Sequence, residues 1–354
     1  MVFNIQNWPK PVLTSLATLI GLTVIYSALW FVIGLQMKNS ISNWVTKQSA
    51  QGWKAEYKKI DLAGFPWRWR FKVKKPILSP ASGDIQFHWA GPYIQFEIRP
   101  WDIKNIKFQT DGEHKLTYTK PKVISPITLD MEVGHGQLKL NKNGKLTHFS
   151  FAMENALAKN TSAEQYRVKR LNWRLSLNKP IAPKEKPHQV STFDLKAELL
   201  GLTLPNSFKS GLGPTINRIA LSANFRGNAR GNTLKQAFSG WASSGGSFDL
   251  ENFEIHWSKL FAKANGTFAL DSTLQPIAVL SGTITGYNLA LRAMVDAGLI
   301  KPNLAIVARF ALRGMSNFFG SRKGDKITLS LTIQHGYLHL GPVKIIKLPK
   351  IIWN

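Results

Sequence analysis

His335 and His339 stand four residues apart, the spacing at which two imidazoles on one helix face can hold a zinc ion. The intervening Gly336, Tyr337 and Leu338 read instead as a turn running into a strand, so the helical geometry that makes this spacing useful is missing. Residues 282–286, Gly-Thr-Ile-Thr-Gly, suggest a phosphate loop only until Tyr287 and Asn288, which stand where Lys and Ser or Thr would meet phosphate and magnesium. Neither a Gly-x-Ser-x-Gly elbow nor a His-Glu-x-x-His pair occurs. The absence of Cys excludes disulfides, thiolate zinc sites, iron–sulfur clusters and cysteine nucleophiles together. It leaves the compartment open, because a chain of 354 residues can bury a core without covalent staples. Acidic residues number 20 against 46 Lys and Arg, and Asp61, Asp84 and Asp102 fall near strand ends, where turns and ion pairs use them. A glycosidase-like pair of carboxylates would have to be assembled from distant segments. The sequence therefore predicts a protein that is not an enzyme, with no cofactor, no metal site and no catalytic residue to name.

Binding chemistry is better represented. Over residues 67–74 the period-2 pleat of a strand sorts Trp67, Trp69, Phe71 and Val73 onto one face and Arg68, Arg70, Lys72 and Lys74 onto the other, with Lys75 extending the basic row. One face would suit acyl chains and the other phosphate groups. The plainer reading is that the apolar set fills a core while the basic set is solvated, the commoner fate of a single strand. A formal charge of +26, spread from Lys10 to Lys350, favours an anionic partner such as lipid headgroups, lipopolysaccharide or nucleic acid. Solubility in anionic surroundings accounts for the same excess.

The elements that must carry these residues begin with a short tail, residues 1–11. Residues 12–35 hold no charge and would make a helix about 36 Å long, enough to span a bilayer as an anchor. Trp8 precedes the run, and Tyr26, Trp30 and Phe31 lie toward its far end, where aromatic rings suit headgroups. A cleaved signal peptide has a shorter apolar region and a small-x-small site, which does not follow here. Lys38, Lys47 and Lys54 outnumber Lys10 across the run and point the large domain to the cytoplasm, whereas the short tail of an uncleaved signal-anchor points it outward. Residues 36–60 read as a helical juxtamembrane segment, with Ile41, Trp44, Val45 and Gln48 on one stripe. Period-2 alternation then dominates: Ile85/Phe87/Trp89, Ile94/Phe96/Ile98, Leu171/Trp173/Leu175/Leu177, Phe193/Leu195/Ala197/Leu199, Phe253/Ile255/Trp257 and Ile327/Leu329/Leu331/Ile333. A hairpin turn is expected at residues 141–144, and a Pro- and Lys-rich linker at 178–188 divides a β-rich subdomain at 61–177 from a second at 189–354. Helices that cover a sheet are predicted at 233–242 and 288–319, the latter divided at Lys301-Pro302. The predicted fold is thus mainly β: an N-terminal transmembrane helix, then large curved antiparallel sheets with a few helices.

The segment Gly64-Phe65-Pro66-Trp67-Arg68, followed by an alternating strand, resembles the Gly-Phe-Pro-aromatic-Arg motif of a domain-of-unknown-function family of alphaproteobacterial single-span envelope proteins. Further similarity lies at residues 270–276, at 282–287 and at 341–353, where Gly341 and Pro342 open the segment. Gly64 and Gly341 give backbone freedom and Pro66 and Pro342 fix φ, so these are structural positions. The resemblance implies an inner-membrane protein with its large domain in the periplasm, distantly similar to AsmA-like proteins that hold lipids in long curved sheets. The leading expectation is non-catalytic handling of anionic lipid or lipopolysaccharide on an apolar curved sheet. A scaffold or assembly factor for other envelope proteins is the alternative. Nucleic-acid binding, suggested by basic residues interleaved with aromatics, ranks below both because of the membrane span.

Overall fold

The computed structural model describes residues 10–50, 52–80, 86–120, 123–177, 190–208, 211–228, 234–296, 298, 300–318 and 326–353. Over these residues the protein is mainly β, with four helices and eighteen strands joined by antiparallel pairing into one large sheet.

Helix α1 (Lys10–Ala50) carries the uncharged run without a break. Every residue from Lys10 to Tyr26 is exposed, whereas from Ser27 onward cover recurs at Trp30, Gly34, Met37, Ile41, Val45 and Gln48, the three-to-four spacing of one helix face. Trp44, expected on that stripe, instead faces solvent at 52% exposure. Gly52 ends the helix with φ 86°, donating its N–H to the Ser49 carbonyl at 3.1 Å. The helical segment expected over 36–60 therefore stops at Ala50, and its remainder is strand: β1 (Trp53–Glu56) and the start of β2 (Lys59–Ala63).

One compact unit comprises residues 1–110 and 114–124. In it β2 pairs with β3 (Trp69–Lys74), β3 with β6 (Tyr93–Arg99), and β6 with the first half of β7 (Asp102–Lys120). Separately, β1 pairs with β4 (Ile77–Pro80), β4 with β5 (Gln86–Ala90), and β5 with the later part of β7. Its core joins helix to sheet: Trp30 packs with Ile60, Trp69, Phe71, Val73 and Ile98. The Trp69 indole N–H donates to the Trp30 carbonyl at 2.9 Å, so the ring is held by a hydrogen bond as well as by packing. Gly34 allows this approach, since a Cβ there would sit 2.9 Å from Leu62 Cδ2 and 3.1 Å from Trp69 Cδ1.

The other unit takes residues 111–113 and 125–354 and is a long meander. Its strands β8 (Val123–Leu140), β9 (Leu146–Lys159), β10 (Gln165–Leu177), β11 (Ser191–Thr203), β12 (Thr215–Arg226), β13 (Ser247–Trp257), β14 (Leu260–Leu270), β15 (Pro276–Thr285), β16 (Lys326–Gln334), β17 (Tyr337–Leu340) and β18 (Val343–Lys347) each pair antiparallel with the next. Short turns make this order natural. At the β8–β9 turn the Asn141 side-chain oxygen accepts from the N–H groups of Asn143 and Lys145, as the Asn-Lys-Asn-Gly signal predicts. The linker expected at 178–188 lies outside the described residues, and the strands flanking it pair directly, with Leu177 opposite Phe193. Helix α2 (Leu234–Ser243) is inserted between β12 and β13, and α3 (Tyr287–Asp296) with α4 (Pro302–Phe318) between β15 and β16, matching the two predicted helical regions.

Candidate functional site

Strand β3 separates the sequence-predicted residues by fate. Trp69, Phe71 and Val73 are 3%, 0% and 7% exposed and fill the core against α1, so protein already occupies the apolar face that would have met acyl chains. Trp67 leaves that set: it lies in the turn before β3 and is 68% exposed. On the other face Arg68 pairs with Glu97 at 2.9 Å, Lys74 with Asp61 at 2.8 Å, and the Lys72 ammonium sits 3.9 Å from the centre of the Tyr93 ring. Arg70 is half-buried and Lys75 exposed in a turn at φ 50°. Hydrogen bonds from Lys59 and then Lys74 hold the Asp61 carboxyl down from 3.8 to about 2. Much of this basic face is therefore neutralised locally.

The motif glycines and prolines shape turns. Gly64 has φ 102° and accepts the Arg68 N–H at 3.1 Å, and a Cβ there would lie 2.4 Å from the Arg68 carbonyl oxygen. Phe65 is exposed and packs on Trp30 and Phe31, while the Pro66 carbonyl accepts the Tyr26 hydroxyl at 2.6 Å. Gly341, at φ 56°, donates to Ser330 at 2.8 Å as the chain turns into Pro342 and β18.

The larger apolar surface lies in the meander. Register aligns one row across ten strands: Leu138, Phe149, Leu175, Leu195, Ala223, Leu250, Gly266, Leu280, Leu331 and Leu340. At the usual spacing of neighbouring strands this row is about 43 Å long. A parallel row runs Phe151, Trp173, Ala197, Leu221, Phe253, Ala264, Gly282 and Leu329. Most of these side chains are only half-buried, and Trp173 is 37% exposed. A closed sandwich would bury such a face completely.

Helices shelter the ends of the face over β12–β16. At one end Trp241 of α2 stacks on Phe225, which stacks on Phe193, with ring centres 5.0 and 4.7 Å apart. The C-terminal segment joins that end, where Trp353 packs on Phe238 and donates to the Leu274 carbonyl at 2.8 Å. At the other end Ala290 and Ala293 of α3 pack with Leu212 and Leu260, flanked by Trp257 and Ile284. Between them Ala264, Gly266 and Gly282 leave the floor low. Gly282 approaches so closely that a Cβ would meet the Lys263 carbonyl oxygen at 2.3 Å.

The opposite face is charged and internally matched. Arg218 pairs with both Glu198 and Glu254, Lys263 with Glu254, Arg226 with Asp249, and Arg170 with Glu154. Hydrogen bonds from Lys263 and Arg218 lower the Glu254 carboxyl, and those from Ser222 and Asn224 lower Glu251. A depression of about 360 Å³ lies here, lined by Asn172, Arg174, Lys196, Glu198 and Arg218, and its charges of both signs give it no clear preference for an anion. His335 sits in a turn and His339 in β17, and among the described residues no three His, Asp or Glu gather where a metal could sit.

The site therefore differs from the one sequence reasoning favoured. Each alternating run was visible, but their alignment into one face depends on register between distant residues. No curated protein and no solved structure matches the chain. Residues 30–349, beginning at the first buried side chain of α1, match the family described as "Uncharacterized protein conserved in bacteria (DUF2125)", and the chain belongs to that family.

Proposed function

We propose that this is a non-catalytic, membrane-anchored protein that holds the acyl chains of anionic lipid or lipopolysaccharide on the apolar face of its meander. The row from Leu138 to Leu331, only half-buried at every position but Ala223, carries the reading, because a water-soluble domain gains by burying so large a face and this one leaves much of it open. An acyl chain fits such a surface without directional partners, and each methylene it removes from water contributes about 0.8 kcal/mol. The helix α1, with its exposed apolar half, would tether the chain to a source of lipid. The formal charge of +26 favours anionic headgroups over neutral ones. A place in the bacterial inner membrane with the large domain in the periplasm, and a distant likeness to AsmA-like lipid carriers, fit the same reading.

The test is extraction of the full chain from its native membrane in mild detergent, followed by mass spectrometry of what remains bound. Diacyl lipid or lipopolysaccharide in fixed ratio to protein, resistant to exchange with detergent, is the expected result. Protein that is reproducibly lipid-free would overturn the proposal.

A further inference from the structure

We infer that the turn holding Phe65, Pro66 and Trp67, together with Trp101 in the adjoining turn, seats in the headgroup layer of the bilayer that α1 crosses. The inference rests on α1 being a membrane anchor, as in the function proposed above. Its first support is helix length. A hydrocarbon core about 30 Å thick takes roughly 20 helical residues, so a span starting at Val12 reaches the far boundary near Phe31. The part of α1 in which every residue is exposed ends at Tyr26 and is only about 25 Å long. The last membrane turn must therefore overlap the first turn that docks on the sheet.

What docks there is the Gly-Phe-Pro-Trp turn. The Tyr26 hydroxyl donates to the Pro66 carbonyl at 2.6 Å, and the Phe65 ring lies 5.5 Å from Trp30 and 5.8 Å from Phe31. Topology brings the second turn to the same end of the sheet: β2 and β6 finish there while β3 and β7 begin there, with Ala63 opposite Arg70, Trp69 opposite Ile98 and Arg99 opposite Asp102. Trp67, Trp101 and Ile103 are 68%, 64% and 50% exposed, a concentration of large apolar side chains that water would not favour. Indole rings suit the boundary between acyl chains and headgroups, and the exposed Arg99 and Lys104 beside them can meet lipid phosphate. The occupant is thus the bilayer itself, continuous with the span.

Because the chain has no cysteine, single cysteines report without background. The full chain is placed in nanodiscs of phosphatidylcholine and phosphatidylglycerol, carrying an environment-sensitive dye at Trp67→Cys, Trp101→Cys, Ile20→Cys or Lys58→Cys. Lys58 is an exposed residue at the opposite end of β2 and β3. Dye at positions 67 and 101 should lose emission to a quencher near the headgroups, dye at 20 to a quencher deep in the acyl layer, and dye at 58 to neither. Ile103→Cys, which keeps both indoles, should behave as 67 and 101 do. If 67, 101 and 103 resist quenching as 58 does while 20 is quenched, the anchor stands and this contact is overturned. If 20 also resists, the anchor fails and the contact fails with it.

Discussion

Two neighbouring residues of β15 test the proposed acyl-binding face with one chemical change. Leu280 lies on the apolar face between Gly266 and Leu331, and Ser281 lies on the opposite face between Asn265 and Ser330. Replacing either with Glu adds the same carboxylate at nearly the same place in the sheet, but on opposite sides of it. Leu280 leans over Gly266, its Cδ2 only 2.8 Å from where a Cβ would project, so it forms part of the floor that an acyl chain would touch. If Leu280 covers roughly three methylenes, its loss removes about 2.4 kcal/mol of apolar contact. That is about a fifty-fold weakening, and the cost of desolvating a carboxylate adds to it. Ser281→Glu should change affinity by less than about two-fold, since exposed surface changes away from a site do little.

Native mass spectrometry of the full chain titrated with phosphatidylglycerol in a non-lipid detergent measures both. Leu280→Gln serves as an uncharged variant if Leu280→Glu lowers the thermal unfolding midpoint sharply. Equal affinities for the folded Leu280 and Ser281 variants would refute a lipid role for this face.

The basic side of β3 makes a smaller prediction than its charge count suggests. Four free cations near an anionic membrane would shift binding by about three orders of magnitude, but Arg68 and Lys74 are paired, so replacing Arg68, Arg70, Lys72 and Lys74 with Gln should weaken capture of anionic vesicles by nanodisc-held protein about thirty-fold. Unchanged capture by a folded variant would remove this face from headgroup binding. At the docked helix, Gly34→Ala should be near neutral, because a helix propensity gain of about 1 kcal/mol offsets a tight contact, whereas Gly34→Leu should destabilise by about 1–3 kcal/mol. Thermal unfolding in detergent distinguishes them, and equal midpoints would mean that α1 does not pack as described. Carboxyls held below their ordinary range, Asp61 by Lys59 and Lys74, Glu251 by Ser222 and Asn224, and Glu254 by Lys263 and Arg218, contribute stability that is complete above about pH 4.5 and lost as pH falls through their lowered values. The unfolding midpoint should hold from pH 7 to 5 and drop below 4. Asp61→Asn should flatten the part of that drop between 3.8 and about 2.

Local physics made the elements legible and left their partners hidden. The uncharged run of α1, the alternation in β3 and the Asn-rich turn after β8 each follow from neighbours in sequence, and the structure places helix, strand and turn there. The same period-2 pattern cannot say what faces the apolar side. For Trp69 and Phe71 the answer is Trp30, some forty residues upstream on a helix whose apolar character reads equally well as membrane span. For Leu195 and Leu280 the answer is one shared surface, created by register through nine successive antiparallel pairings.

This difference also bears on why the most conspicuous strand lies apart from the proposed binding face. A strand sorted as sharply as β3, three buried apolar residues against three basic ones, is what a two-layer contact with a helix requires, because one side must be dry and the other must reach water. Strands that form a binding face meet a weaker demand. Under the proposed function their apolar side would have to remain stable with or without a ligand, and small residues such as Ala264, Gly266 and Gly282 interrupt it. Salt bridges such as those of Arg218 and Lys263 with Glu198 and Glu254 keep the charged side soluble without adding net charge. A groove is therefore written in sequence as muted alternation repeated over many strands, and a core as strong alternation in few.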